Sequence, residues 1–184
     1  MIAIVDYGVG NLFSLKSSFA AIGVDVIVTA DPEVLKSADR IVLPGVGAFE
    51  DAAKKLRDSG LSKVLIELAN NGKLLLGICL GMQMLFEKSF EYGEHTGLGL
   101  IPGDVVSMEP VLPAGYKVPH IGWNGLIFPK EKPKSKIFKY LKSKGFENYL
   151  EYERETEKYE IYPFLKEVSY INSNGRTASL LWLI

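Results

Sequence analysis

Cys79 is the one cysteine of this 184-residue chain, and it stands in the frame Gly77-Ile78-Cys79-Leu80-Gly81. Upstream lies the apolar run from Leu74, and downstream Met82, Leu85 and Phe86 begin a helical spacing. This order predicts a buried strand, a tight turn and a helix, with the thiol on the turn. A nucleophile so placed projects from the carboxyl end of a sheet, and the positive end of the following helix favours thiolate over thiol. Glycine two positions to either side keeps side chains from colliding where the backbone doubles back. A lone cysteine is commonly a small core residue. The glycine frame between strand and helix shifts the reading toward a nucleophile that carries a covalent acyl intermediate.

A second glycine-bearing loop, PGVGAF at Pro44–Phe49, follows another apolar run. In a parallel sheet it emerges at the same edge as Cys79. Its glycines let the backbone present N–H groups which, with the N–H of Leu80, suit the negative oxygen of a tetrahedral acyl intermediate, at about 3 kcal/mol per donor. The plain alternative is a glycine-rich turn with no ligand. Neither this loop nor DYGVGN (Asp6–Asn11) carries a full dinucleotide or nucleotide fingerprint. One cysteine and two scattered histidines, His95 and His120, offer no metal-ligand spacing, so no metal is expected. His95 lies in a polar stretch and reads as a surface loop residue.

Positioning these groups takes alternating strands and helices. Strands are predicted at Ile2–Val5, Val24–Val28, Arg40–Leu43 and Leu74–Ile78. Between them fall a helix carrying Leu12, Leu15, Phe19 and Ile22, a short one at Pro32–Lys36, and helices from about Phe49 to Ser59 and from Leu61 to Asn70. Apolar strands separated by amphipathic helices imply a doubly wound, mostly parallel α/β sheet with helices on both faces. Past residue 97, GLGLIPGDVVSM suggests a turn and an antiparallel strand, and Lys117–Ile121 another extended piece. From Lys130 to Glu160, 16 of 31 residues are charged, lysines first and glutamates later, as in solvated surface or flexible chain. No repeat or linker divides the chain, so residues 1–184 are expected to form one domain.

Composition narrows the partners. With 21 Lys and Arg against 22 Asp and Glu, the net charge of −1 supplies no drive toward nucleic acid or an acidic membrane. A single cysteine makes no internal disulfide, which fits a reducing, cytoplasmic setting. The opening MIAIVDYG has no positive flank and breaks at Asp6, so no secretory signal is expected. The longest apolar stretch, Leu74–Phe86, is interrupted by two glycines and a glutamine and falls short of the ~20 residues of a bilayer span.

GICLGMQ (Gly77–Gln83) resembles the nucleophile elbow of class I, or triad-type, glutamine amidotransferases. DYGVGN (Asp6–Asn11), LPGVGAF (Leu43–Phe49), GLGLIPG (Gly97–Gly103) and KVPHIGWN (Lys117–Asn124) extend the resemblance co-linearly over residues 1–128. It implies a flavodoxin-like domain that hydrolyses glutamine to glutamate and ammonia without a cofactor. It also implies a heterodimer, with ammonia passed to a separate (β/α)8 cyclase subunit in histidine biosynthesis. On this resemblance Cys79 is the nucleophile, Gly45, Val46 and Gly47 belong to the oxyanion strand, and Gln83 helps hold the substrate glutamine. Asn11, His120, Trp123 and Asn124 lie toward the cyclase.

The carboxy-terminal part departs from that pattern. The family's His-Pro-Glu motif, which takes the thiol proton and returns it to the leaving ammonia, is absent from all 184 residues. Neither His95 nor His120 has a glutamate two positions on. Three accounts remain open: a shifted reading frame after about residue 130, a degenerate paralogue that keeps a cyclase-binding face, or a diverged tail carrying another base. Translating the two other frames beyond codon 130 tests the first. As written, residues 129–184 are an aberrant tail, and the chain is expected to be a poor glutaminase.

Overall fold

The first strand, β1 (Ile2–Val5), is a β-branched apolar run that lies in the middle of a sheet. The computed structural model describes residues 1–111 and the backbone of Ser169–Ile171 and Thr177–Ser179. After β1 come α1 (Leu12–Ala21), β2 (Val26–Thr29), α2 (Pro32–Ser37), β3 (Arg40–Leu43), α3 (Phe49–Asp58), α4 (Leu61–Asn70) and β4 (Leu74–Gly77). The four strands are parallel in the order β2-β1-β3-β4, with Ile4 opposite Val28 on one side and Val42 on the other. This is the mostly parallel, flavodoxin-like α/β architecture expected.

Local chemistry sets the helix ends. Asn11 caps α1 by accepting from the Ser14 N–H at 3.1 Å, and Asp31 caps α2 through Glu33 N–H at 2.8 Å, with Pro32 in the first turn. Helix α3 buries Phe49, Ala52, Ala53 and Leu56, a stripe at i, i+3, i+4 and i+7. Ile4 on one face of the sheet, Ile41 and Leu43 on the other, and Leu35, Leu61 and Leu65 of the helices are fully buried as well, each large side chain contributing about 1.5–3 kcal/mol. Helix α1 differs, having no buried residue and leaving Phe13 82% exposed. On β4, Leu74 and Leu76 are exposed.

From β1 the chain runs outward to β2 and returns across β1 to β3. The strand order therefore reverses between β1 and β3, and the carboxyl edge at such a switch point is the usual ligand position of these sheets.

Beyond β4 lies α5 (Leu80–Gln83), a single turn, and then β5 (Phe86–Ser89), β6 (His95–Thr96) and β7 (Ile101–Val105) in the order β6-β5-β7. Two expectations are corrected by this segment. Phe86 belongs to a strand rather than to a helix begun at Met82, because the turn ends at Met84, whose buried side chain leads the backbone into β5. β7 pairs parallel with β5, not antiparallel. The antiparallel step is taken by β6, and the Gly97–Leu100 turn reverses the chain again so that β7 runs along the other side of β5.

The chain divides into two compact units, Met1–Tyr116 with Leu183–Ile184, and Lys117–Trp182. In the second, β8 (Ser169–Ile171) and β9 (Thr177–Ser179) form an antiparallel pair. No helix of the described residues is long and apolar enough to cross a membrane.

Candidate active site

Cys79 sits between β4 and α5 with φ 54° and ψ −122°, a left-handed conformation that a side chain adopts at a cost of order 1–3 kcal/mol. Its thiol is exposed. The turn closes on itself through N–H donations from Gly81 to Ile78 O at 3.0 Å and from Met82 to Cys79 O at 2.9 Å. The flanking glycines are required by space. A Cβ on Gly77 would lie 2.5 Å from Met82 Cα, and one on Gly81 would run into the Leu43 carbonyl. α5 is a single turn, so the long helix dipole expected behind the thiol is absent, and the Cys79 side chain accepts no N–H from that turn.

The loop after β3 lies directly against this elbow. Ile78 N–H donates to Leu43 O at 3.0 Å, and a Cβ on Gly45 would stand 2.5 Å from Gly81 N. Gly45 is thus in backbone contact with the turn that carries Cys79. Val46 is 51% exposed, and Gly47 adopts φ 84°, which glycine alone takes without strain. Among the described residues the N–H groups of Val46, Gly47 and Leu80 meet no hydrogen-bond acceptor. Unspent donors beside an exposed thiol are the arrangement that an anionic acyl adduct needs.

Gln83 ends the α5 turn, half-buried, its N–H donating to Cys79 O at 3.2 Å. Leu80 is buried. Asn11 is exposed and spends its side chain on the α1 cap. His120, Trp123 and Asn124 lie outside the described residues. His95 is corrected: it is in strand β6, half-buried, with Nδ1 3.3 Å from Glu50 Oε2. Glu50 also accepts from the Arg57 guanidinium at 2.7 Å, and Arg57 donates to Thr96 O at 3.2 Å, so β6 is fastened to α3. No group of three or more His, Cys, Asp or Glu among the described residues could hold a metal.

Two residues near the loop were not singled out by sequence. Tyr7 is buried and donates its phenol O–H to Pro44 O at 2.7 Å. Glu91 Oε2 accepts the N–H of Phe49 at 2.6 Å, capping α3 where Ala48 has no side-chain acceptor to offer. Tyr7 had a weak signal, an aromatic hydroxyl at the end of a buried strand. Glu91 had none, since its partner is 42 residues away.

A strained cysteine turn against a glycine loop, on a parallel sheet of this order, is in keeping with one class, and the chain belongs to the glutamine amidotransferases: residues 4–158 match the CobB/CobQ-like glutamine amidotransferase domain. A solved crystal structure of a glutamine amidotransferase shares the fold, with TM-score 0.51 and 22% identity over 58% of this chain and 56% of its own. Within the class, the chain is similar to proteins described as imidazole glycerol phosphate synthase subunit HisH. That of Sulfurimonas denitrificans is 52% identical over 72% of this chain and 64% of the relative. The Aquifex aeolicus protein is 49% identical over 78% and 66%, and that of Helicobacter hepaticus 44% over 79% and 70%. The chain thus spans about two thirds of the length of the curated relatives it matches.

Proposed function

We propose that the chain is the glutamine-hydrolysing subunit of an imidazole glycerol phosphate synthase, with Cys79 as nucleophile, in a reducing, cytoplasmic setting. The observation that carries this reading is the exposed Cys79 at positive φ, in backbone contact through Gly81 with a loop whose N–H groups are unspent. The thiolate sulfur attacks the side-chain carboxamide carbon of glutamine, and the C=O electron pair moves onto oxygen. The N–H groups of Val46, Gly47 and Leu80 receive that oxyanion. Collapse breaks the C–N bond and releases ammonia, which carries the proton given up by the thiol, and leaves a glutamyl thioester. Water hydrolyses the thioester to glutamate and restores the thiol. Gln83, at the end of the same turn, helps hold the substrate. The released ammonia serves a cyclase partner, and Asn11, His120, Trp123 and Asn124 lie toward that partner.

The proton needs a carrier. The chain has two imidazoles: His95 is engaged by Glu50, and His120 lies outside the described residues. Absence of an aligned base costs about 100 to 10,000 fold in rate. The missing His-Pro-Glu favours a second reading, a binding module that docks on the cyclase without hydrolysing glutamine.

Alkylation by a chloroketone analogue of glutamine, compared with iodoacetamide, separates the two. The chloroketone passes through an oxyanion-bearing adduct and iodoacetamide does not. Selective, Cys79-dependent labelling by the chloroketone, lost in Cys79→Ala, is expected, together with slow glutamine turnover even with cyclase present. Equal reactivity toward both reagents would leave only the binding module. Glutamine turnover at the rate of an amidotransferase with an aligned base would show that the chain holds a proton carrier after all.

A further inference from the structure

Because β1 and β3 are neighbours, the loops that follow them meet at the carboxyl edge. The meeting point is Pro44. Its carbonyl accepts from the buried Tyr7 phenol at 2.7 Å and from no other donor among the described residues. Its ring lies where a Cβ on Gly10 would come within 2.9 Å, so the loop after β1 is seated on it. At the far end of the second loop, Glu91 holds the N–H of Phe49. Between these anchors run Gly45, Val46 and Gly47, and the N–H groups of Val46 and Gly47 have no acceptor among the described residues. A glycine-rich stretch without bonds of its own takes its orientation from its ends.

The peptide unit from Pro44 to Gly45 is planar and trans, so fixing the Pro44 oxygen fixes the direction of the Gly45 N–H and the angle at which the chain enters the glycine stretch. Resting on the assignment of Cys79 as nucleophile, we propose that Tyr7 is a positioning residue for the reaction, its phenol holding Pro44 so that the Gly45–Gly47 peptides are correctly set against the Cys79 elbow. Burial pushes the Tyr7 phenol well above its ordinary titration range, so it stays a donor throughout the neutral range.

The test uses the full chain and Tyr7→Phe, which keeps the ring and removes the hydroxyl. Alkylation of Cys79 by the glutamine chloroketone should slow about tenfold, as expected for oxyanion donors held slightly out of place. Alkylation by iodoacetamide, which needs no oxyanion donor, should be unchanged, and the far-ultraviolet dichroism of the two proteins should coincide. Unchanged rates with both reagents would overturn the proposal, and so would an equal fall in both, which a general loosening of the fold produces. If the parent chain itself shows no preference for the chloroketone, the functional reading fails and the proposal with it. That failure is seen in the parent, whereas failure of the positioning role alone is seen only in the variant.

Discussion

Replacing Gly45 by alanine puts a methyl carbon 2.5 Å from the backbone nitrogen of Gly81 and 2.9 Å from both the carbonyl carbon and the Cβ of Leu80. Ordinary contact at a Cβ begins near 3.4 Å, so loop and elbow must part by about 1 Å. Two of the three atoms are backbone, on a turn held to β3 by the Ile78 N–H at 3.0 Å, and no side-chain rotation relieves the clash. Overpacking of this kind costs about 1–3 kcal/mol of stability. Reactivity suffers more, because a displacement of ~1 Å at a reacting centre costs on the order of 100-fold. Gly47→Ala is the control: a Cβ there meets nothing within 4 Å, and only the φ of 84° is objectionable, at about 1–2 kcal/mol. The two variants should therefore resemble each other in urea unfolding and differ in chemistry. The rate of Cys79 alkylation by the glutamine chloroketone, divided by that for iodoacetamide, should fall about 100-fold in Gly45→Ala and less than tenfold in Gly47→Ala. Equal normalised rates for the two would refute the idea that Gly45 keeps the loop seated on the elbow.

Cys79→Gly should be more stable than Cys79→Ala by about 1 kcal/mol in urea unfolding, since only glycine relieves the φ of 54°; coincident midpoints would mean the turn stores no strain. Asn11→Ala should cost about 1 kcal/mol and speed amide exchange in the first turn of α1, with Asn11→Asp close to the parent, because the lost group is the acceptor for Ser14 N–H. Exchange unaffected by the change would show the cap to be dispensable. Tyr7 also predicts an alkaline limb. Its folded titration lies above the unfolded value of 10.0, so its contribution is fully present below pH 10 and is lost as pH rises further and only the unfolded chain ionises. Tyr7→Phe should flatten the decline of melting temperature above pH 10, and an unchanged slope would count against burial of the phenol.

Much of the fold was legible because its signals are local. β1, β3 and α4 lie where apolar runs and their bounding turn residues predict them, since side-chain burial and backbone chemistry act over a few residues there. The elbow was legible for the same reason: Gly77 and Gly81 are dictated by a turn only five residues long. Less legible were the extent of α5 and the direction of β7, which depend on how Met84 and Phe86 pack rather than on their spacing. His95 read as surface because its partner, Glu50, is far away in the chain.

By itself the sequence determined which residues can be nucleophile and donor, because the thiol, the glycines that surround it and the strand feeding it are contiguous. Only the tertiary structure decided that the loop at Pro44–Gly47 touches the elbow, that Tyr7 holds its root, and that Glu91 caps its far end. Those contacts join positions tens of residues apart, and the strand order β2-β1-β3-β4 brings them together. That order arises from burial of the whole core, a sum over many weak interactions that no local period in the chain records.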